Sequence, residues 1–395
     1  MTSIRTFRDI PLKGKSVLMR VDFNVPLDKQ GHITDDSRIR AALPSIRYVL
    51  DQGGALILMS HLGRPQGKPD RAFSLKPCAD RLSELLGKPV IMAPDCVGAE
   101  VKALATNLKP GEILFLENLR FHPEEEKPEK NPDFVRQLAE LGDVYVNDAF
   151  GTAHRAHAST ALIAQYFPGK AVAGFLMEKE IRTLGNLLVN PKRPFYAMIG
   201  GAKISTKMGV LNALQSKVDA LLIGGGMAYT FFKAQGIEIG DSIHEDQFLS
   251  QAHDLLKKSS SIFLPVDILI ADSVDASAKT MVIDTFRGIP KGFQGVDIGP
   301  KTIKLFQSEL QKAKTVFWNG PMGVFEIPAF ANGTNAIATT LSQLNAETVV
   351  GGGESVAAVE AAGVADKISH ISTGGGSALE YIEFGTLPGI KPLIN

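Results

Sequence analysis

The sequence predicts an α/β protein of two doubly wound parallel-sheet lobes joined by a helix. Three observations carry this expectation. Short runs rich in Val, Ile and Leu alternate with stretches of helical periodicity along the chain. Many of these runs lack strict polar alternation, so they read as strands buried on both faces. Eleven such runs are too many for one comfortable open sheet, and a turn cluster followed by an amphipathic helix interrupts them near the middle.

In the first lobe the strand runs fall at 16–21, 55–59, 112–116, 143–146 and 171–175, with helical stretches at 37–50, 75–86 and 133–141. The charged segment 124–130 (EEEKPEK) reads as a solvated loop. Phe167-Pro168-Gly169-Lys170 is a turn cluster that closes this lobe, taken as residues 1–170. Residues 177–188 then read as the joining helix, because Met177, Ile181, Leu184 and Leu188 recur at spacings of four, three and four. Asn190-Pro191-Lys192-Arg193-Pro194 ends it, so the hinge region spans 171–190. The second lobe, 191–376, carries strand runs at 194–199, 219–223, 261–266, 280–284, 315–318 and 348–350, and a helical stretch at 247–258. The tail from Gly385 is too rich in Pro and Gly for a helix and reads as extended.

Composition narrows the function. Lys plus Arg is 42 and Asp plus Glu is 42 in 395 residues, a zero net charge that argues against a dedicated nucleic-acid binder. At 44% hydrophobic and 21% charged the chain is not disordered. Cys78 and Cys96 have no CxxC spacing and no clustered His partners, which argues against a disulfide framework or a structural zinc site. The start lacks the apolar core of a signal peptide, and no window approaches 18 consecutive apolar residues. The expectation is a soluble, cytoplasmic protein with no membrane partner.

The two halves differ in chemistry. The first gathers cationic and hydrogen-bonding residues just after its strands: Arg20 to Asn24, Arg38 and Arg40, His61 to Arg64, Arg120 to His122, and His154 to His157. Carboxyl ends of strands form the ligand crevice of open α/β sheets. Arginine forks there match carboxylate and phosphate oxygens. The second half has glycine clusters at its strand ends instead: Gly200-Gly201-Ala202-Lys203, Gly224 to Gly226, Gly320 to Gly323, Gly351-Gly352-Gly353-Glu354 and Gly374 to Gly376. Glycine lets backbone N–H groups approach phosphates, and a following helix N-terminus adds its dipole. No GxxxxGK[ST] and no GxGxxG occurs, which sets aside P-loop enzymes and lowers the case for NAD or FAD. Lys203 and Lys207 lie four apart, on one face of a helix start, and repel unless a polyanion lies between them. A bilobal transferase closing over two anionic substrates, with water excluded, is the economical synthesis.

Ten ordered segments resemble the phosphoglycerate kinase family: RVDFNVPL, RIRAALP, SHLGRP, LENLRFHPEEE, VNDAFGTAHRAHAS, IGGAKISTK, GGGMAYTF, WNGPMGVFE, GGGES and STGGGSALE. The resemblance implies two Rossmann-like lobes and reversible phosphate transfer between 1,3-bisphosphoglycerate and ADP, giving 3-phosphoglycerate and MgATP. It implies an acid-binding set in the first lobe of Asp22, Phe23, Asn24, Arg38, His61, Leu62, Gly63, Arg64, Arg120 and Arg155. The nucleotide set is Gly201, Ala202, Lys203, Lys207, Gly225, Gly226, Asn319, Glu326, Gly351, Gly352, Gly353, Glu354 and Ser355. Arg38, Lys203, Gly352 and Gly375 form the catalytic set. The segment 377–395 is expected to return to the N-terminal lobe, and the protein to be a monomer.

One departure stands out. Many family members read GGGD where this chain reads GGGE. Glu354 keeps the carboxylate and is taken as the Mg²⁺ ligand, with direct, water-bridged and absent coordination all left open by its longer arm. The acceptor in the ATP-consuming direction is a carboxylate, already ionised at pH 7, so no general base is assigned and Asp22 reads as a binding residue. His61, His154 and His157 have no nucleophile context for a triad or a metal site.

Overall fold

The computed structural model describes residues 4–258 and 261–394. It divides into two compact units, Met1–Thr183 with Thr386–Asn395, and Leu184–Gly385.

The first unit holds a six-stranded parallel sheet. Its strands are β1 (Ser16–Arg20), β2 (Ala55–Met59), β3 (Ile91–Met92), β4 (Ile113–Phe115), β5 (Val144–Asn147) and β6 (Ala171–Ala173), in the order β3-β4-β2-β1-β5-β6. β2, ALILM, is buried at every position, which explains its unbroken apolar sequence. The connecting helices are α1 (Ser37–Asp51), α2 (Lys76–Leu86), α3 (Ala99–Thr106) and α4 (Pro132–Ala139). α1 buries Ile39, Ala42, Ile46 and Val49, one face at helical spacing, in a core shared with Val17, Met19, Leu56 and Leu58. The helix α5 (Phe175–Val189) follows β6, and the division between units falls inside it.

The second unit repeats the pattern and adds to it. β7 (Phe195–Ile199), β8 (Ala220–Ile223) and β9 (Ile262–Phe263) precede a separate hairpin sheet of β10 (Asp267–Ala271), β11 (Thr280–Asp284) and β12 (Gln294–Ile298). β13 (Thr315–Asn319), β14 (Glu347–Gly351) and β15 (His370–Ile371) complete the main sheet, ordered β15-β14-β13-β7-β8-β9 and all parallel. Its helices are α6 (Met208–Gln215), α7 (Ala228–Ala234), α8 (Leu249–Lys258), α9 (Pro300–Leu310), α10 (Asn332–Leu341), α11 (Gly353–Ala361) and α12 (Gly376–Phe384). Trp318, Phe306, Ile337 and Val350 are central to its core.

Three expectations are corrected. The run 261–266 is not one strand: β9 stops short of Pro265, which has no N–H for a ladder, and β10 starts beyond it. β11 is antiparallel to β10 rather than part of a parallel sheet, and its Met281 and Val282 are 48% and 49% exposed. The tail from 377 does not return as a whole. Residues up to Phe384 form α12, packed on α6, and only Thr386 onward groups with the first unit. There the Leu393 carbonyl accepts from the Arg5 N–H at 2.8 Å, Asn147 Nδ2 donates to the Gly389 carbonyl at 3.1 Å, and Lys391–Leu393 makes one 3₁₀ turn. Among the described residues, no helix is long and apolar enough to cross a membrane.

Candidate functional site

In the first unit the expected residues gather at the carboxyl ends of β1, β2, β4 and β5. The Asp22 carboxylate, just past β1, pairs with Arg38 from the first turn of α1. Asn24 Oδ1 accepts the Gly63 N–H at 2.8 Å, tying the loop after β1 to the loop after β2. Gly63 has φ +60°, and a Cβ there would run into the Phe73 ring. Arg120 Nη1 donates to the Gly63 carbonyl at 2.9 Å, and its Nη2 lies 3.2 Å from Glu126. Asn118 braces the same turn, donating to Leu62 and Phe73 carbonyls at 2.7 and 2.8 Å. Arg64 and Arg155 present exposed side chains. The side chains of two expected residues lie in the core: the Phe23 ring packs edge-on to Phe115, and Leu62 is buried.

This site is electrostatically positive at its centre. Burial pushes His61 well below the ordinary imidazole range, and Arg20, Arg120 and Arg38 add to the effect. Burial likewise holds His157 down to about 3, helped by Arg120, Arg20 and Arg155. Both rings are therefore neutral at pH 7, crowded by guanidiniums that have more charge than their carboxylate partners cancel. Such a cluster of guanidiniums around neutral rings suits an anion.

Sequence reasoning missed the groups behind it. Glu125 lies in the segment expected to be solvated, yet it is fully buried. Ser159 is likewise buried beside the site, together with Arg20 and His157, which the sequence already places after the strands. The expectation about cysteine partners is corrected too. Asp95, Cys96 and His122 bring ligand atoms within 4.8 Å of one another, with His122 Nε2 at 2.7 Å from Asp95. Burial keeps the Cys96 thiol well above its usual range, so it stays protonated.

In the second unit a cleft of about 300 Å³ opens among the ends of β7, β8 and β13 and the hairpin sheet. Gly201, Ala202, Gly225, Gly226, Glu326 and Glu354 line it, as expected. Tyr229, Ile243, Val274, Val296 and Val324 supply an apolar wall, and Gln294 an amide; of these only Tyr229 and Val324 fall within the motif segments. The glycines divide into two kinds. Gly225 (φ +67°) serves packing: a Cβ would lie 2.6 Å from the Gly201 nitrogen and 2.8 Å from the Pro321 carbonyl. Gly201 N donates to that same carbonyl at 2.9 Å, so these loops fit backbone to backbone. Gly353, Gly375 and Gly376 instead face open space, with nothing within 4 Å of a built Cβ. They begin α11 and α12, whose caps Gly352 and Gly375 supply no side-chain acceptor for the first N–H groups.

Lys207 Nζ donates to Asn319 Oδ1 at 2.5 Å, and Asn319 Nδ2 donates to the Gly351 carbonyl at 2.6 Å. Burial lowers the Lys207 pKa and the nearby Glu354 carboxylate raises it. Ser355 is buried and accepts the Gly320 N–H at 2.5 Å, a bracing role within the loop. Lys203 and Lys207 do not share a helix face. Lys203 precedes the 3₁₀ turn Ile204–Thr206, and α6 begins only after Lys207. Lys203 is exposed, close enough to Glu245 to help lower that carboxyl.

The sequence model described as phosphoglycerate kinase matches residues 7–384. The phosphoglycerate kinase of Chlorobium limicola is 55% identical over 98% of this chain and 99% of its own. The chain belongs to the phosphoglycerate kinase family. The Chlorobaculum tepidum member is likewise 55% identical, over the same shares. Solved phosphoglycerate kinases agree in fold. That of Coxiella burnetii superposes with a TM-score of 0.89 at 40% identity, covering 99% of both chains. That of Pyrococcus horikoshii gives 0.84 at 33%, covering 99% of this chain and 98% of its own. The protein is thus a kinase, a phosphotransferase of glycolysis, with the two parallel-sheet α/β lobes of its family.

Proposed function

We propose that the enzyme moves the acyl phosphate of 1,3-bisphosphoglycerate to ADP, reversibly, giving 3-phosphoglycerate and ATP. In this reading the first unit holds the acid and the second the nucleotide. The observation that carries it is the crowding of Arg20, Arg38, Arg120 and Arg155 around two neutral histidines, a site that demands a small polyanion.

Arg64, Arg120 and Arg155, with His61, hold the 3-phosphate through charge-assisted hydrogen bonds. Asp22 and Asn24 orient the hydroxyl and acid end. Asp22 also keeps the Arg38 guanidinium directed until the transferring group arrives. The attacking carboxylate of 3-phosphoglycerate is ionised at neutral pH, so no residue has to remove a proton. Catalysis is then positioning and charge neutralisation, shared by Arg38, Lys203 and the amides at the starts of α11 and α12, with Gly352 packed against Asn319 and Gly375 open to the equatorial oxygens. Lys207 and Asn319 hold nucleotide phosphates, Glu326 the ribose, and the apolar wall the base. Ligands held on different units must be brought together and shielded from water, which is the closure step of this reading.

Glu354 fits a magnesium ligand: an exposed hard oxygen donor on the nucleotide cleft, close enough to Lys207 to affect its charge. When bound, the ion would neutralise phosphate charge. The same reading carries a cytoplasmic monomer. Purified protein given 3-phosphoglycerate and MgATP, with product coupled to NADH oxidation, should turn over. A protein that binds the nucleotide but forms no acyl phosphate would refute the reading.

A further inference from the structure

A buried line of polar side chains stands behind the acid site. Glu125 is 0% exposed in the turn Pro123–Glu125. Ser159 holds both its oxygens, through its backbone N–H to Oε2 at 3.0 Å and its hydroxyl to Oε1 at 2.6 Å. A serine hydroxyl has one proton, and giving it to Glu125 leaves the oxygen to accept. It accepts from Arg20 Nε at 2.8 Å. Arg20, 1% exposed at the end of β1, donates with Nη1 to the Val21 carbonyl and brings Nη2 to 3.2 Å from His61 Nδ1. A guanidinium has donors only, so Nδ1 must accept. The neutral ring then carries its proton on Nε2. The Asp22 carboxylate, 3.8 Å from Nδ1, takes no proton from it.

Each link leaves the next one choice. Glu125 orders the Ser159 hydroxyl, the hydroxyl and the Val21 carbonyl orient Arg20, and Arg20 selects the tautomer of His61. The groups facing this line are His157, whose Nδ1 is 3.9 Å from Glu125 Oε1, Arg120, Arg38, and the Tyr145 hydroxyl, which donates to the Ser159 carbonyl at 2.8 Å. A buried carboxylate and guanidinium are costly to keep where apolar side chains could fill the space. What they supply is a chemical state of the ring. A protonated His61 would be repelled by the arginines around it. The other neutral tautomer would offer an anion only a lone pair on Nε2. The Nε2–H form is uncharged and still donates.

We propose that Glu125 is a positioning residue for the acid site, acting through Ser159 and Arg20 to hold His61 as the Nε2–H tautomer, a neutral hydrogen-bond donor to the anionic substrate. This inference rests on reading the first unit as the acid site.

The decisive measurement is the ¹⁵N imidazole spectrum of the uniformly labelled wild-type enzyme at pH 7, with His61 assigned by the His61→Gln variant. It should show a neutral ring protonated on Nε2. A ring protonated on Nδ1, or on both nitrogens, would overturn the proposal whatever the variants do. Glu125→Gln should then mix the tautomers and raise KM for 3-phosphoglycerate about tenfold, the scale of one hydrogen bond to a charged group, while KM for MgATP stays within twofold. In the His61→Gln background Glu125→Gln should add nothing, because the ring it positions is gone. An equal penalty in both backgrounds would mean that Glu125 only supports the fold, against the proposal. If Glu125→Gln does not fold, Ser159→Ala carries the same two comparisons without changing charge. The acid-site reading fails separately: Arg155→Ala would then leave 3-phosphoglycerate binding at the wild-type level.

Discussion

In the reading proposed above, the first unit meets its ligand with long side chains, the second with bare backbone. Around His61 the work falls to Arg38, Arg64, Arg120 and Arg155, and a second rank of Asn118, Arg20, Ser159 and Glu125 holds the site from behind. Around the cleft of the second unit, loops after β7, β8 and β13 interlock through glycine, and open amides begin α11 and α12. Charge on side chains gives reach and strength, but it must be braced, and burial turns nearby histidines into pH-dependent liabilities. Backbone donors need no bracing and do not titrate, but where the loops interlock, as at Gly225, they leave no room for a Cβ. The two regions should therefore fail in different ways.

The sharpest break of the comparison is at the transferring group. Arg38→Ala and Lys203→Ala should each lower kcat about 10³-fold. Arg38→Ala should leave nucleotide affinity within twofold, and equal loss of both would erase the division of labour. Next, Lys207→Ala should raise KM for MgATP roughly 10- to 100-fold, the range for a hydrogen bond to a charged group, with KM for 3-phosphoglycerate unchanged. Steady-state kinetics with each substrate varied in turn decides this. Gly225→Ala tests the backbone side. Its φ of +67° and the 2.6 Å approach to the Gly201 nitrogen should cost about 1–3 kcal/mol of stability, read from urea unfolding, and weaken nucleotide more than acid.

The smallest effects are in pH. His157 is held down to about 3, so below 6.5 the unfolded chain binds a proton that the folded chain refuses. Its contribution is present above 6.5 and is lost as pH falls toward about 3. Asp297, next to Val296 of the second unit's cleft, is pushed up to about 7 by burial, although the N–H groups of Gly333 and Ile298 oppose the shift. Its penalty is absent below 3.8 and grows as pH rises through about 7. Urea midpoints of His157→Gln should accordingly gain on wild type as pH drops from 6.5, and those of Asp297→Asn as it rises toward 7. Parallel curves for either pair would contradict the assignment.

Much of this division was legible in the sequence, because residue type and position after a strand are local facts. β2 and β7 announce themselves as unbroken apolar runs, and Arg38, Arg64, Arg120 and Arg155 follow strands or open the helix after one. What stayed hidden depends on what folds over what. Glu125 sits in EEEKPEK and looks solvated, but it is buried and bonded to Ser159, more than thirty residues further along the chain. Cys96 and His122 are far apart in sequence but meet beside Asp95. Gly225 and Gly375 look alike as letters, yet one is hemmed in by Gly201 and Pro321 while the other stands open. β10 and β12 escaped notice because the apolar run reads through Pro265 and ends at the polar Asp267 that opens β10, and Gln294–Ile298 mixes Gln, Gly and Asp into a short strand. Phe23 carries the family motif, but its ring belongs to the core.

The central claim, one ligand to each unit, is tested most directly by calorimetric titration of 3-phosphoglycerate and of MgADP, separately, into Arg155→Ala and Lys207→Ala. The account predicts a crossed result: Arg155→Ala loses affinity for the acid alone, Lys207→Ala for the nucleotide alone. Both ligands weakened alike in either variant, or the acid binding Arg155→Ala as it binds wild type, would contradict it.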